Sequence, residues 1–574
     1  MKRILVLMAV CAATLACRSY PNYPVTESSK TMPQLNEHLR GTAPVTNVTS
    51  DRIRNARSEP NNWMTYYGAY DGQRFSALDQ INAGNVKGLR PAWQFQFAPT
   101  GIIPAPATFS FEAAPIVVDG VMYVSGWDGY LWCLDAATGE LLWQYQHQIP
   151  LDTPLCCGNV NRGVAVANGR VYMATQNGYL LALDATNGKL VWQTAYADVR
   201  AGESATMAPL VVKNLIIAGA SGGEYGVRGH IDAFDLTSGQ RVWRRYTVPA
   251  PGEPGSETWT GDSWQRGGGT TWITGTYDPE LDLVYWGTGN PGPLFDDSPR
   301  RGTNLYTNSV LAIDPDDGTI RWHYQFTPDD VWDYDGVNEN ILFDQGGRRL
   351  LAHFDRNGYL FILDRTNGQL VRAVQYGDKV TWGEIDASGR VTQRLKPTKE
   401  GTVICPGPAG AKEWPHASYN PRTGFLYAPI VDACATFRLV PQQFREGMFY
   451  LAGDADVTKH EQRGHVRAID PATGRQVWSW DGPQPIVAST LSTGGDLVFA
   501  GEPNGHFNAY DARTGAMLWT YQTGNGIHSN PVTYSVNGKQ YIAVPTGWGG
   551  WLEGFAPEMM GAPRGTSLVV FALP

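Results

Sequence analysis

Short apolar runs end in aspartate again and again along this chain. YLWCLD closes on Asp135, YLLALD on Asp184, HIDAFD on Asp235, SVLAID on Asp314, YLFILD on Asp364, HVRAID on Asp470 and HFNAYD on Asp511. A glycine follows four residues after each aspartate, at Gly139, Gly188, Gly239, Gly318, Gly368, Gly474 and Gly515. Four residues further on stands a tryptophan (Trp143, Trp192, Trp243, Trp322, Trp478, Trp519), replaced by Arg372 in the fifth copy. Runs of this length bounded by turn residues predict strands, and the aspartate-to-glycine segment predicts the tight turn between the two outer strands of a repeat.

The repeat period is near 50 residues, which with strand–turn–strand content predicts the blades of a propeller. An indole at fixed distance from each turn can lie flat between neighbouring blades. Trp93, in LRPAWQF, lies 50 residues before Trp143 without the turn ahead of it, and TSLVVFALP at the C-terminus is a strand without its turn. Pairing the two closes the ring and removes both exposed edges. The expectation is all-β: one eight-bladed propeller over 60–574, closed by its N- and C-terminal strands. Two blades are over-long, between Gly239 and Asp314 and between Arg372 and Asp470. Insertions into a regular repeat tend to gather on one face, where binding chemistry sits, although they can also be plain surface loops.

Composition agrees. The chain has 574 residues with 65 Gly, 38 Pro, 20 Trp and 27 Tyr, only 17% charged residues and 42% hydrophobic ones, so it builds a large core and is not disordered. A net charge of −9 without a Lys/Arg run argues against a nucleic-acid partner. No apolar stretch of membrane-spanning length follows the first 17 residues. Lys2 and Arg3 precede the apolar run Ile4 to Ala16, the layout of a secretory signal (1–17), with 18–59 as an N-terminal extension. The expected location is the periplasm, and Cys17 at the cleavage point is where a lipid anchor would attach. Cys11 leaves with the signal. Cys156, Cys157, Cys405 and Cys434 then make two disulfides in an oxidising compartment, with Cys133 a small apolar filler inside a strand. No C-x-x-C-H occurs, so no covalent haem is expected on this chain.

Five phrases, CCGNVNRG, SGGEYGVRG, WGTGNPGP, HYQFTPDDVWDYDGVNE and DRNGYLFILDRTNG, stand in this order. Together with the docking repeat they make the chain, over essentially 60–574, resemble the quinoprotein alcohol dehydrogenases of the methanol/ethanol type, which use pyrroloquinoline quinone (PQQ). PQQ is a planar tricarboxylic ortho-quinone, so its site needs flat walls and cations. The resemblance implies a disulfide between the adjacent Cys156 and Cys157 on one face of the quinone and Trp272 on the other. Cys405 and Cys434 are then free to pair with each other. Arg162 suits a PQQ carboxylate through a bidentate fork, and Arg356 matches the arginine at the quinone oxygens. Glu112, Thr206 and Ser221, with Gly222 and Gly223, match cofactor-binding positions. Blade docking is the rival reading for Trp272, which lies outside the docking register; ordinary strand-end polarity is the rival for Glu112, Thr206 and Ser221.

The same resemblance implies metal ligands at Glu224, Asn290 and Asp333, hard oxygen donors suited to Ca²⁺ or a larger trivalent ion and not to zinc. Asp333 matches the general base, taking the alcohol proton while hydride passes to C5 of a metal-polarised quinone. Asp335, two residues on, resembles the extra carboxylate of the lanthanide-dependent members, so a lanthanide is favoured over Ca²⁺. Two places depart from the family pattern: Glu413-Trp414 where Asn-Trp is usual, and Val487 where a Trp often covers the substrate cavity. They put methanol in doubt and suggest a roomier or differently charged pocket for the alcohol. Without a haem segment, electrons would pass to a separate soluble periplasmic cytochrome c. The resemblance also permits a homodimer. A calcium enzyme for bulkier or polymeric alcohols is the alternative within the family. A non-catalytic outer-membrane scaffold is the alternative outside it, and that reading predicts neither the paired cysteines nor the acidic cluster.

Overall fold

The computed structural model describes residues 42–97, 111–150, 152–547 and 565–574. The expected signal (1–17), with Cys11 and Cys17, and most of the N-terminal extension lie outside the described residues. Among those described, the strands form eight sheets of four, one with a fifth strand added, and two smaller sheets. Blade 1 runs Ile116–Val118, Val121–Ser125, Tyr130–Asp135 and Leu141–Gln146 in antiparallel order, and blades 2 to 7 repeat that plan.

The aspartate-to-glycine segment is the turn between the third and fourth strands. Gly139 N–H donates to Asp135 O (2.8 Å), and the Asp135 carboxylate accepts from Ala137 and Thr138 N–H, satisfying the turn locally. Each of these glycines except Gly474 also carries the preceding blade's indole. A Cβ on Gly139, at φ +77°, would meet the Trp93 ring at 2.4 Å, and one on Gly188 would meet Trp143 at 2.6 Å. Trp143 Nε1 then donates to Ala185 O in the next blade (3.1 Å), as Trp478 does to Ala512 O (3.0 Å). Trp243 and Trp519 donate likewise, to Pro315 O (2.8 Å) and Leu89 O (3.2 Å), while the Trp93, Trp192 and Trp322 indoles dock without such a bond. At the fifth junction Arg372 reaches Ala472 O instead, and Gly474 faces Val374.

Closure is as expected. Arg90–Gln96 pairs antiparallel with Ser567–Ala572, Trp93 opposite Val570, in a sheet completed by Lys539–Thr546 and Val532–Val536. A second N-terminal tie was not foreseen: Phe75–Ser76 adds to blade 7 in parallel beside Leu491–Thr493, and buried Arg74 donates to Thr490 O and Pro531 O. The described end of the extension lies against blade 2 through Ala43 N–H to Thr186 O and Asn168 N–H to Val48 O. No described helix is long and apolar enough to cross a membrane.

The two insertions meet. The second forms a three-stranded sheet, Thr402–Ile404, Ala435–Leu439 and Gly453–Asp456, stapled by the Cys405–Cys434 disulfide. Its Phe437 packs on Phe295 of the first insertion, and Leu451 O accepts from Phe295 N–H. From the same insertion, Tyr450 N–H reaches Glu224 O (2.6 Å).

Candidate active site

Antiparallel order decides where functional side chains gather. In each blade the segment entering the first strand and the loop joining the second strand to the third lie at the same end of the sheet. Glu112, Arg162, Thr206, Trp272, Asp335, Trp414 and Val487 each stand three to five residues before the first strand of seven consecutive blades. Ser221 to Glu224, Asn290 and Arg356 occupy second-to-third-strand loops of blades 3, 4 and 5. One face of the ring therefore carries these cofactor, metal and pocket candidates together.

Two buried arginines organise this face. Arg162 Nη2 lies 2.8 Å from Glu112 Oε2, Nη1 donates to Thr206 Oγ1 (2.8 Å), and the guanidinium sits 4.8 Å over the Trp272 ring and 4.7 Å over Trp414. Arg356 lies 5.5 Å over Trp272, donates to Asp333 O (3.1 Å) and to Glu413 Oε1, and stands 3.5 Å from Asp335 Oδ2. Burial works against the Arg356 charge, but Glu413, Asp335, Asp333 and Glu224 more than offset it.

Cys156 and Cys157 are joined to each other, and Glu224 brings a carboxylate oxygen within 4.8 Å of both sulfurs. Asp335 Oδ1 accepts Asn290 N–H (2.5 Å), which requires glycine beside it: a Cβ on Gly289 would lie 2.5 Å from that oxygen. Burial pushes the Glu224 carboxyl up to about 7, with Asp335 adding to it, and raises Asp335 and Asp333 as well, the latter further through Asp335. Asp333 stands at φ +70°, a left-handed conformation that costs a non-glycine residue energy and concentrates at functional sites. Ser221 pairs with Ser204 Oγ (2.8 Å). Val487 is buried between Ile486 and Ala488, which pack into the cores on either side, and as an aliphatic residue makes no polar link to the others. Glu413 is held by Arg356, and Trp414 is fully buried beneath Arg162; neither forms an accessible wall.

The residues fit PQQ and a hard cation. Buried Arg162 Nε, Arg356 Nε and Trp414 Nε1 are donors without a partner, and Asn290 Oδ1 and Glu413 Oε2 are acceptors without one. Donors beside flat rings suit a planar tricarboxylate. The metal donor set is all oxygen (Glu224, Asn290, Asp333, Asp335), since disulfide sulfur is not a ligand. Cys156, Cys157, Ser221, Glu224, Trp272 and Asp333 are the partly exposed members in surroundings otherwise buried.

Two groups escaped the sequence reading. Asp330 accepts N–H bonds from Trp332 (2.8 Å) and Tyr334 (3.0 Å) and one from Asn308 (3.1 Å), fixing the turn that carries Asp333. The signal was present, an aspartate two residues before the turn it caps, in TPDDVWDYD. Lys412 Nζ lies 2.8 Å from Glu339 Oε2, with His416 beside it and bonded to Tyr66. No local pattern announces that network.

The family model for the PQQ "Glucose/ethanol/alcohol dehydrogenase, beta-propeller domain" matches residues 63–385 and 482–542. Quinoprotein alcohol dehydrogenase PedH of Pseudomonas putida is 37% identical over 92% of this chain and 93% of its own. The lanthanide-dependent methanol dehydrogenase of Methylacidiphilum fumariolicum is 38% identical over 88% of this chain and 87% of its own. A solved europium-containing methanol dehydrogenase superposes with a TM-score of 0.84 at 36% identity, over 91% of this chain and 100% of that one. With the docked ring and its two-arginine face, these matches show that the chain belongs to the quinoprotein alcohol dehydrogenases, enzymes that oxidise alcohols with PQQ.

Proposed function

We propose that the protein oxidises a primary alcohol, with Asp333 as general base and Glu224, Asn290, Asp333 and Asp335 around the metal ion. The observation that carries this reading is the set of unpartnered buried atoms on Arg162, Arg356, Asn290, Glu413 and Trp414 converging on one face. When bound, PQQ supplies a two-electron acceptor and the metal supplies Lewis acidity. The chain supplies the rest. Arg162 and Arg356 hold carboxylate and quinone oxygens, Trp272 and the Cys156–Cys157 disulfide wall the two faces, and Glu112, Thr206, Ser221, Gly222 and Gly223 border them. Asp333, held in its turn by Asp330, takes the alcohol's hydroxyl proton.

Three carboxylates and an amide oxygen favour a 3+ ion, so a lanthanide is the proposed metal. Calcium is the second reading, favoured by one observation: both Asp335 oxygens already face partners, Asn290 N–H and Arg356. Glu413 and Val487 are proposed to steer the choice of alcohol away from methanol, Glu413 through its hold on Arg356. Electrons would leave to a soluble cytochrome c in the periplasm, to which the signal at 1–17 would direct the chain, with Cys17 as a candidate lipid anchor. A homodimer is compatible with this reading.

The test is dye-linked oxidation of a panel of primary alcohols by apo-protein reconstituted with PQQ and either La³⁺ or Ca²⁺. Turnover with La³⁺ alone supports Asp335 as a ligand; turnover with Ca²⁺ alone keeps the chemistry and removes Asp335 from the ligand set. Silence with both metals, with PQQ bound, would overturn the primary-alcohol reading.

A further inference from the structure

The junction between blades 5 and 6 is where the docking repeat departs from tryptophan, Arg372 standing in its place. A second group of ligand-type side chains lies at the same junction, outside the active site. On blade 6, His465 is opposite Ile430 on one neighbouring strand and Asp481 on the other, and Asp432 lies two residues from Ile430. Asp432, His465 and Asp481 therefore share one face of the sheet. Asp378 joins them from the turn after blade 5's last strand, Leu370–Gln375. One ligand atom each from Asp378, Asp432 and His465 falls within 4.8 Å of the others.

His465 is only 7% exposed, and its two ring nitrogens have different surroundings. Nδ1 lies 2.9 Å from Asp481 Oδ1, and the bond to His465 holds the Asp481 carboxyl below its ordinary value. A carboxylate at Nδ1 favours the ring tautomer with its N–H there, which leaves Nε2 as the lone-pair nitrogen. Nε2 makes no hydrogen bond although it is buried and 3.2 Å from Asp378 Oδ2. Arg467 Nη2 donates to Asp378 Oδ2 (2.7 Å) and lies equally close to Oδ1 (2.7 Å), so it offsets one of the two carboxylate charges and leaves His465 Nε2 without a partner. Arg467 balances Asp378, and the buried Nε2 lone pair and the Asp432 carboxylate remain as two further donors converging with Asp378 on one point.

We propose that Asp378, Asp432 and His465 Nε2 hold a divalent first-row metal ion of the zinc class, which ties blade 5 to blade 6 where the docking indole is missing. A ring nitrogen among the ligands selects such an ion over Ca²⁺, Mg²⁺ or a lanthanide. Asp481 is the outer partner that orients the imidazole, as metal-bound histidines require. Asp378 is 42% exposed at its side chain, so water completes the coordination shell.

The test titrates Zn²⁺ into enzyme already loaded with PQQ and its catalytic metal, by calorimetry, with the melting temperature followed in parallel. One Zn²⁺ per chain should bind beyond the catalytic metal and raise the melting temperature. H465A and D432N should each weaken that binding roughly tenfold or more and remove the rise, with bound-PQQ absorbance and far-ultraviolet circular dichroism as in the wild type. D432N, near-isosteric and at a partly exposed position, carries the test if H465A does not fold. Absence of saturable Zn²⁺ binding by the wild type, or equal binding by wild type and D432N, overturns the proposal.

Discussion

Glu413 accepts a hydrogen bond from Arg356 Nη2, joining two buried residues 57 positions apart at the centre of the two-arginine face. Here an anion balances a guanidinium that also faces Asp335 and Asp333 O.

Removing that anion should be costly in the apo-protein. Glu413→Ala leaves the Arg356 charge buried with Asp335 as its nearest remaining counter-charge, for an expected loss of about 3 kcal/mol in urea unfolding. With PQQ bound, the cofactor's own negative groups replace part of the lost charge and the deficit should shrink. Equal losses with and without PQQ would show that Arg356 does not face the cofactor.

Asp333→Ala should lower dye-linked turnover by about 10²–10⁴-fold. Arg162, Trp272 and Glu112 remain, so bound PQQ measured by absorbance should be retained. Turnover near the wild-type level would remove Asp333 from the role of base.

Asp335→Ala should depress La³⁺-supported turnover on the order of tenfold or more and spare the Ca²⁺-supported rate, since the oxygen and charge it removes matter most to a trivalent ion. Rates measured side by side with the two ions decide it. A La³⁺ rate untouched by the substitution makes Asp335 a structural acceptor for Asn290 N–H alone.

Replacing Cys156 and Cys157 together by Ser should weaken turnover on the order of tenfold to a hundredfold through looser placement of the quinone, while the melting temperature stays close to wild type. Each cysteine is partly exposed and neither belongs to a blade strand. Wholesale unfolding would instead give the pair a structural role.

Acid should destabilise the ring through His416. Burial pushes its imidazole down to about 4, against the pull of Glu339, so it is neutral in the fold, while the unfolded chain takes up a proton below about 6.5. Stability from this group is therefore full above about pH 6.5 and is lost as pH falls toward 4, about 2 kcal/mol of it between pH 7 and pH 5. Glu339 is held down to about 2 by Lys412 and His416 in spite of burial, and its contribution is lost lower, between about pH 4.5 and 2. Denaturant unfolding at pH 7 and pH 5 should show the first loss, and His416→Asn should flatten it.

Much of this molecule could be read along the chain because its determinants are local. The apolar runs, the capped turns and the indole a fixed distance later recur along the chain, and most adjacent blades dock through these short phrases. Trp93 and the last strand were identifiable as partners since each lacked what the other had. The motif residues were legible one at a time, and antiparallel alternation then carried Glu112, Arg162, Thr206, Trp272 and Asp335 to a single face without further information. What only the tertiary structure decided are the contacts between side chains far apart in sequence: Arg356 with Glu413, Asp335 with Asn290 N–H, Lys412 with Glu339, Asp378 with His465. Each joins different blades, or a blade and an insertion. Its energy depends on burial and on the charge placed opposite, and neither quantity has a local signature in the chain.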